Sequence, residues 1–252
     1  MKRWFWICLL LASGCAPRLL SLDMGSPDWG VDITWHGQSC FTLRDSLGRT
    51  FVTDPFDETV GYGRLDLRAD ALLITHDHFD HNNRRAVKPR LRALDIVEST
   101  GAAVVGGGVS VTGLGSFHDA EDGGINGPNR IFTFVLGGIK FVHLGDLGQL
   151  ALTEEQKKLI GPVDVLFIPV GGVTTIDARQ AKMLIDELKP AVVFPMHYGE
   201  SRFYRLAPVS LFLNMFPEAD VRQLSDAHVR LRRSDFAGRP VVMTLKPTQR
   251  NY

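Results

Sequence analysis

Leu72-Leu73-Ile74-Thr75-His76-Asp77-His78-Phe79-Asp80-His81 runs from an apolar strand-like stretch straight into three histidines and two aspartates within six residues. A buried strand end is a poor place for so many polar groups unless something pairs with them. Ions of the zinc type supply that pairing through neutral imidazole and carboxylate. On an extended backbone residues two apart point the same way, so His76 and His78 share a face. Asp80 and His81 lie past the turn and can face a second ion. A lone histidine would be read as a hydrogen-bonded core or surface residue, but His-x-His-x-Asp-His is a long and specific match to a metal motif.

Outward from this segment, the chain from Val31 onward is a succession of short apolar or alternating runs broken by Gly, Asp and Pro. Residues 31–36, 39–44, 50–53, 71–75, 102–105, 130–136, 140–144, 163–170, 191–195 and 241–245 read as strands. Thr153-Glu154-Glu155-Gln156 is a capping-box start for a helix that Gly161 stops. Asp177-Ala178-Arg179-Gln180 is a second start, with Ala181, Leu184, Ile185 and Leu188 on one face and Lys189-Pro190 at the end. The first half is strand-rich with hairpins and the second alternates strand and helix. No repeat period appears, and no linker divides the chain after Trp29. This predicts one domain, residues 30–252, with two sheets and covering helices.

Composition narrows the classes. Of the 252 residues, 44% are apolar and 22% charged, which excludes disordered, collagenous and disulfide-scaffold chains. A chain of this length buries enough surface to fold without a metal or disulfide, so a metal site would be there for chemistry. Lys plus Arg and Asp plus Glu both number 28, and this neutral balance advertises no nucleic-acid partner. Arg84, Arg85, Lys88, Arg90 and Arg92 form a local basic run, read as a solvated helix or loop face.

The N-terminus reads as an export signal: Met1-Lys2-Arg3 is cationic, Trp4 to Leu11 is apolar, and Leu11-Ala12-Ser13-Gly14-Cys15 resembles a bacterial lipobox. The apolar run is short of the roughly 20 residues that a permanent spanning helix needs. The expectation is a lipoprotein signal over residues 1–14, lipidation at Cys15 and a tether over 15–29, with an ordinary cleavable signal as the alternative. Cys40 would then be the only thiol left, so no internal disulfide can form. It sits in a strand-like Ser39-Cys40-Phe41 run without a paired base, which favours buried packing over a nucleophile.

Three later segments offer further donors behind apolar runs: Ser116-Phe117-His118-Asp119, His143-Leu144-Gly145-Asp146-Leu147-Gly148 and Phe194-Pro195-Met196-His197-Tyr198-Gly199. Together with the His76–His81 motif these resemble the metallo-β-lactamase superfamily over about Val31 to Leu245. The resemblance implies a four-layer αββα sandwich of mixed α/β and α+β character, with the site on one edge of the paired sheets. It also implies that His76, His78 and His118 hold one ion, that Asp80, His81 and His197 hold the other, and that Asp146 lies between them. Two divalent ions about 3.5–4 Å apart lower the pKa of a shared water, which then serves as the nucleophile. Asp80 and Asp146 are the carboxylates implied in that chemistry, and zinc is the first choice of ion, with manganese or iron as alternatives.

Ile33 to Phe41, Thr53-Asp54-Pro55 and Ile168-Pro169-Val170-Gly171-Gly172 resemble the branch containing ascorbate phosphate lactonase (UlaG-like proteins) and N-acyl-phosphatidylethanolamine phospholipase D. Gln38 stands where many members have His, and His36 lies two places earlier, so the roles of both stay open. Asp54 is either a partner orienting a ligand histidine or a plain turn residue. His143 is either such a partner or a core residue, His228 either a substrate contact or a solvated loop residue, and helix capping accounts for Asp177. The function implied is a metal-dependent hydrolase of a phosphodiester, lactone or related ester, with a small-molecule or lipid substrate, membrane-anchored on the periplasmic side of the bacterial envelope. The alternatives are a non-enzymatic metal-binding lipoprotein and a nuclease.

Overall fold

The computed structural model describes residues 29–199, 205–236, 238 and 240–248; the signal expected over 1–14, Cys15 and the tether up to residue 28 lie outside the described residues. Two sheets pack face to face. The first has six strands in the spatial order His228–Arg232, Gly30–Gly37, Cys40–Asp45, Thr50–Thr53, Ala71–Leu73 and Asp95–Val97. The second has eight, in the order Val221–Gln223, Val241–Thr244, Val192–Met196, Val165–Pro169, Ile139–His143, Pro128–Leu136, Val109–Phe117 and Gly101–Val105. All ten expected strands are present, with ends moved by at most two residues.

Alternation explains the first sheet: Val31, Ile33, Trp35, Phe41 and Leu43 face inward, while Asp32, Thr34, Thr42 and Arg44 are only partly covered or exposed. They meet Phe132, Phe134, Phe141, Phe167 and Phe194 of the second sheet in one core. The rings pack closely, with centroids 4.4 Å apart for Phe41 and Phe167 and 5.4 Å apart for Phe167 and Phe194. The parallel strands Val165–Pro169 and Val192–Met196 are buried throughout, because both of their faces are covered.

Helices α1 (Glu154–Ile160), α2 (Ala178–Leu188) and α3 (Val209–Leu213) cover the outer face of the second sheet through Ile160, Ala181, Leu184, Ile185, Phe212 and Leu213. Thr153 with Gln156 and Asp177 with Gln180 close the two expected capping boxes, and Gly161 and Lys189 follow the last helical turns. The outer face of the first sheet buries Val52, Phe56, Val60, Tyr62, Leu72 and Ile74. Its cover consists of the short 3-10 turns Glu58–Val60 and Arg84–Ala86 with a two-stranded ribbon, Leu67–Ala69 and Val87–Pro89. The four layers are therefore present, with turns and a ribbon standing in for α-helices on one side. Among the described residues no helix is long and apolar enough to cross a membrane.

The nine-residue strand Val109–Phe117 was not foreseen, because Gly113 and Gly115 break its pattern. Gly113 is needed there, since a Cβ would run into the Ser99 carbonyl oxygen. Strands Ala71–Leu73, Val109–Phe117, Ile139–His143 and Val192–Met196 all end at one edge of the sandwich, and the loops that follow them carry the histidines and aspartates of the motifs.

Candidate metal centre

At that edge the seven residues singled out in the sequence come together. His76, His78 and His118 form one group, Asp80, His81 and His197 a second, and His76, His81 and Asp146 a third that overlaps both; within each, one potential ligand atom per residue lies within 4.8 Å of the others. The first two groups match the expected sets member by member. Asp146 Oδ2 lies 3.0 Å from His197 Nε2, 3.2 Å from His81 Nε2 and 3.3 Å from His118 Nε2, so one carboxylate oxygen touches histidines of both groups. All seven are buried except His78, which is half-buried and marks the open side.

The next layer of side chains decides which ring nitrogens face inward. Asp54 accepts from Thr75 N at 2.8 Å through Oδ1, and from Thr75 Oγ1 at 2.7 Å and His81 Nδ1 at 3.1 Å through Oδ2. With the Thr75 proton given to Asp54, Thr75 Oγ1 accepts from His76 Nδ1 at 3.0 Å. His118 Nδ1 donates to the Thr174 carbonyl at 2.8 Å. Each proton on Nδ1 leaves an Nε2 lone pair facing the centre. The Nε2 atoms of His76 and His81, and Nδ1 of His197, are buried without a hydrogen-bond partner among the described residues. An orphaned buried polar atom costs roughly 1–3 kcal/mol, and a cation accepting those lone pairs removes that cost. The donor set therefore fits divalent metal.

The electrostatics of these groups are strongly coupled. Burial and the neighbouring His81 push the His76 imidazole well below its ordinary pKa. Burial opposes charge on His81 too, but the Asp146 and Asp80 carboxylates outweigh it and hold His81 well above the ordinary value. Burial likewise opposes charge on Asp146, and the neighbouring His197 and His81 rings, with hydrogen bonds from His118 and His197, outweigh it and hold that carboxylate well below its ordinary pKa.

Asp54 thus acts as an orienting partner of His81 rather than a plain turn residue. His143 is fully buried with both ring nitrogens occupied, by the Ser39 carbonyl at 3.1 Å and Gly145 N at 3.1 Å, so it braces the Asp146 loop from the core. Gln38 enters the site through Nε2 to Asp80 Oδ2 at 3.0 Å, and Ser39 Oγ lies 3.4 Å from Asp146 Oδ1. His36 stays outside, between Thr42 and Thr248, its pKa lowered by burial to about 4. His228 is exposed beside Asp32, Asp177 caps α2, and Cys40 is buried with its thiol pKa pushed well up. In the basic run, Arg84, Lys88 and Arg90 pair with Glu98, Asp66 and Asp70.

The sequence reading missed two supports. Asn129 accepts from Asp146 N at 3.1 Å and donates to Ser116 Oγ and the Leu144 carbonyl, an isolated strand residue with no local signal. Asp119 accepts from the amides of Glu121, Gly123, Ile125 and Asn126, fixing the turn that follows His118; the Asp-Ala-Glu-Asp-Gly-Gly run was the available hint. These hydrogen bonds, the one from Asn126 foremost, lower the Asp119 pKa to about 2. A depressed folded-state pKa contributes stability that is present above the ordinary carboxylate value and lost as pH falls through the folded value. The amides of residues 121–126 should therefore stay protected from hydrogen exchange at pH 4 and open towards pH 2, whereas Asp119→Ala should open them at neutral pH. Unchanged protection in that variant would remove Asp119 from this role.

Fold and site together define a metal-dependent hydrolase of the metallo-β-lactamase superfamily. The chain belongs to the beta-lactamase superfamily domain family, whose model matches residues 32–197. Among its relatives is a UPF0173 metal-dependent hydrolase of Nitratidesulfovibrio vulgaris, 31% identical over 66% of this chain and 80% of that protein. Another, from Thermoplasma volcanium, carries the same description and is 28% identical over 67% of this chain and 84% of its own length. Among solved structures, a candidate zinc-dependent hydrolase of the superfamily from Thermotoga maritima superposes with a TM-score of 0.70 at 35% identity, covering 86% of this chain and all of that one.

Proposed function

We propose that this hydrolase uses two divalent ions, zinc foremost, on a phosphodiester, lactone or related ester, and that Cys15 anchors it on the periplasmic side of the bacterial envelope. The observation that carries the two-ion reading is the Asp146 carboxylate, whose Oδ2 touches histidines of both triads at 3.0–3.3 Å. His76, His78 and His118 would hold one ion, Asp80, His81 and His197 the other, and Asp146 both. When bound, such ions supply Lewis acidity and acidify a water towards neutrality. Asp54 and the Thr174 carbonyl fix the tautomers that this needs, and Ser39 and Gln38 steady the two carboxylates. The substrate class rests on the branch resemblance at residues 33–41, 53–55 and 168–172. The anchor rests on the cationic head, apolar run and Leu11-Ala12-Ser13-Gly14-Cys15 ending, with more than one acyl chain needed for stable attachment.

Purified protein should turn over bis(p-nitrophenyl) phosphate or one of a panel of γ- and δ-lactones, lose that activity on dialysis against chelator and regain it with zinc or manganese. The absence of metal-dependent turnover on every member would overturn the substrate reading. Cys15→Ser should leave the membrane fraction or accumulate as uncleaved precursor; wild-type protein released without detergent and bearing no lipid would overturn the anchor.

A further inference from the structure

Gln38 has a side-chain atom that the ligand set leaves unexplained. It follows Gly30–Gly37 at the tip of the hairpin leading into Cys40–Asp45, with a φ of 50°, a left-handed conformation uncommon for a residue with a Cβ. The tip is held in place: the Gln38 carbonyl accepts from Trp35 Nε1 at 3.1 Å and from His197 N at 3.4 Å, so it is tied to the loop that carries His197. The side chain is 1% exposed, and its Nε2 donates to Asp80 Oδ2 at 3.0 Å. Turning the amide over would set Oε1 against the Asp80 oxygen in place of this hydrogen bond. Its orientation is therefore fixed, and Oε1 is left as a buried acceptor with no donor among the described residues. Orphans of this kind are few in folded proteins, and each asks for a partner that the polypeptide does not supply.

We propose that Gln38 is a ligand-positioning residue, its Nε2 holding the Asp80 carboxylate and its Oε1 accepting a hydrogen bond from an O–H of the bound substrate or product. The assignment rests on the hydrolase reading above, and the chemistry of that reading supplies the donor. Hydrolysis of a lactone or other ester adds water across the acyl–oxygen bond and leaves an alcohol O–H. Hydrolysis of a phosphodiester leaves an alcohol and a phosphomonoester that retains an O–H when singly protonated. A neutral acceptor beside the centre recognises both without adding a negative charge to a site that must admit an anion.

The test compares inorganic phosphate with sulfate binding to the zinc-loaded full-length protein by calorimetry near neutral pH. Both are tetrahedral anions, but phosphate keeps an O–H there and sulfate has none. Gln38→Met, similar in length and without donor or acceptor, should lower the phosphate-to-sulfate affinity ratio about three- to tenfold, the worth of one net hydrogen bond, at unchanged zinc content. Gln38→Glu keeps an acceptor and should weaken both anions while preserving the ratio, which keeps the proposal open to failure if the Met variant does not fold. An equal ratio in wild type and Gln38→Met overturns the role of Gln38 alone. Loss of zinc from Gln38→Met also overturns it, since Gln38 then acts by holding Asp80 through Nε2 and not by accepting from the ligand through Oε1. If neither anion binds zinc-loaded wild type, the phosphodiester part of the proposed substrate reading falls with it.

Discussion

Asp54→Ala should destabilise the protein by roughly 3–5 kcal/mol, the low end of three buried donors orphaned at about 1–3 kcal/mol each, and should weaken metal binding about 10–100-fold. Asp54 is fully buried, and its two oxygens take the Thr75 amide, the Thr75 hydroxyl and the His81 ring. Removing them orphans three donors in the core, where each left unsatisfied is expensive. Against a typical total stability of about 5–15 kcal/mol the loss should be visible as an earlier urea midpoint at unchanged slope. Asp54→Asn, which keeps one acceptor oxygen but turns an amide towards donors, should fall between. A midpoint for Asp54→Ala indistinguishable from wild type would return Asp54 to an ordinary turn residue.

Asp146→Ala should behave in the opposite way, folding while losing more than about a hundredfold in activity, since even partners one step removed from a metal cost 10–100-fold. The core strands Ile139–His143 and Val165–Pro169 that frame its loop do not depend on its carboxylate. Its removal takes a charge out of the buried site, and the His81 and His118 rings stay held from behind by Asp54 and the Thr174 carbonyl. Circular dichroism should be native-like while turnover collapses. Wild-type turnover in this variant would remove Asp146 from the chemistry.

The site was legible in the sequence to the extent that its donors sit in short motifs directly after apolar runs. His76 to His81 is contiguous, and Asp146 and His197 each follow a strand whose alternation or continuous burial can be read locally, whereas the strand before His118 is masked by Gly113 and Gly115. The supports were legible only where they too were local: the capping boxes at Thr153 and Asp177 were, whereas Asn129 under Asp146 and Thr174 against His118 join residues 17 and 56 positions apart. The same limit governs the fold. Strands of three residues such as Leu67–Ala69, Asp95–Val97 and Val221–Gln223 carry too little pattern to announce themselves, and they exist because a neighbour offers a ladder. The glycines of the site loops act at similar range. Gly148 lets its loop pass the His118 carbonyl, where a Cβ would lie 2.5 Å from the oxygen, a requirement visible only once the two segments are side by side.

The central claim is a pair of ions with Asp146 between them, and zinc titration of metal-free protein with counting of bound ions tests it most directly. The account predicts saturation at about two ions per chain in wild type and no stable second ion in Asp146→Ala, with His78→Ala losing occupancy at one ion only. Saturation of the wild-type protein at a single ion, or equal occupancy with and without the Asp146 carboxylate, would contradict it.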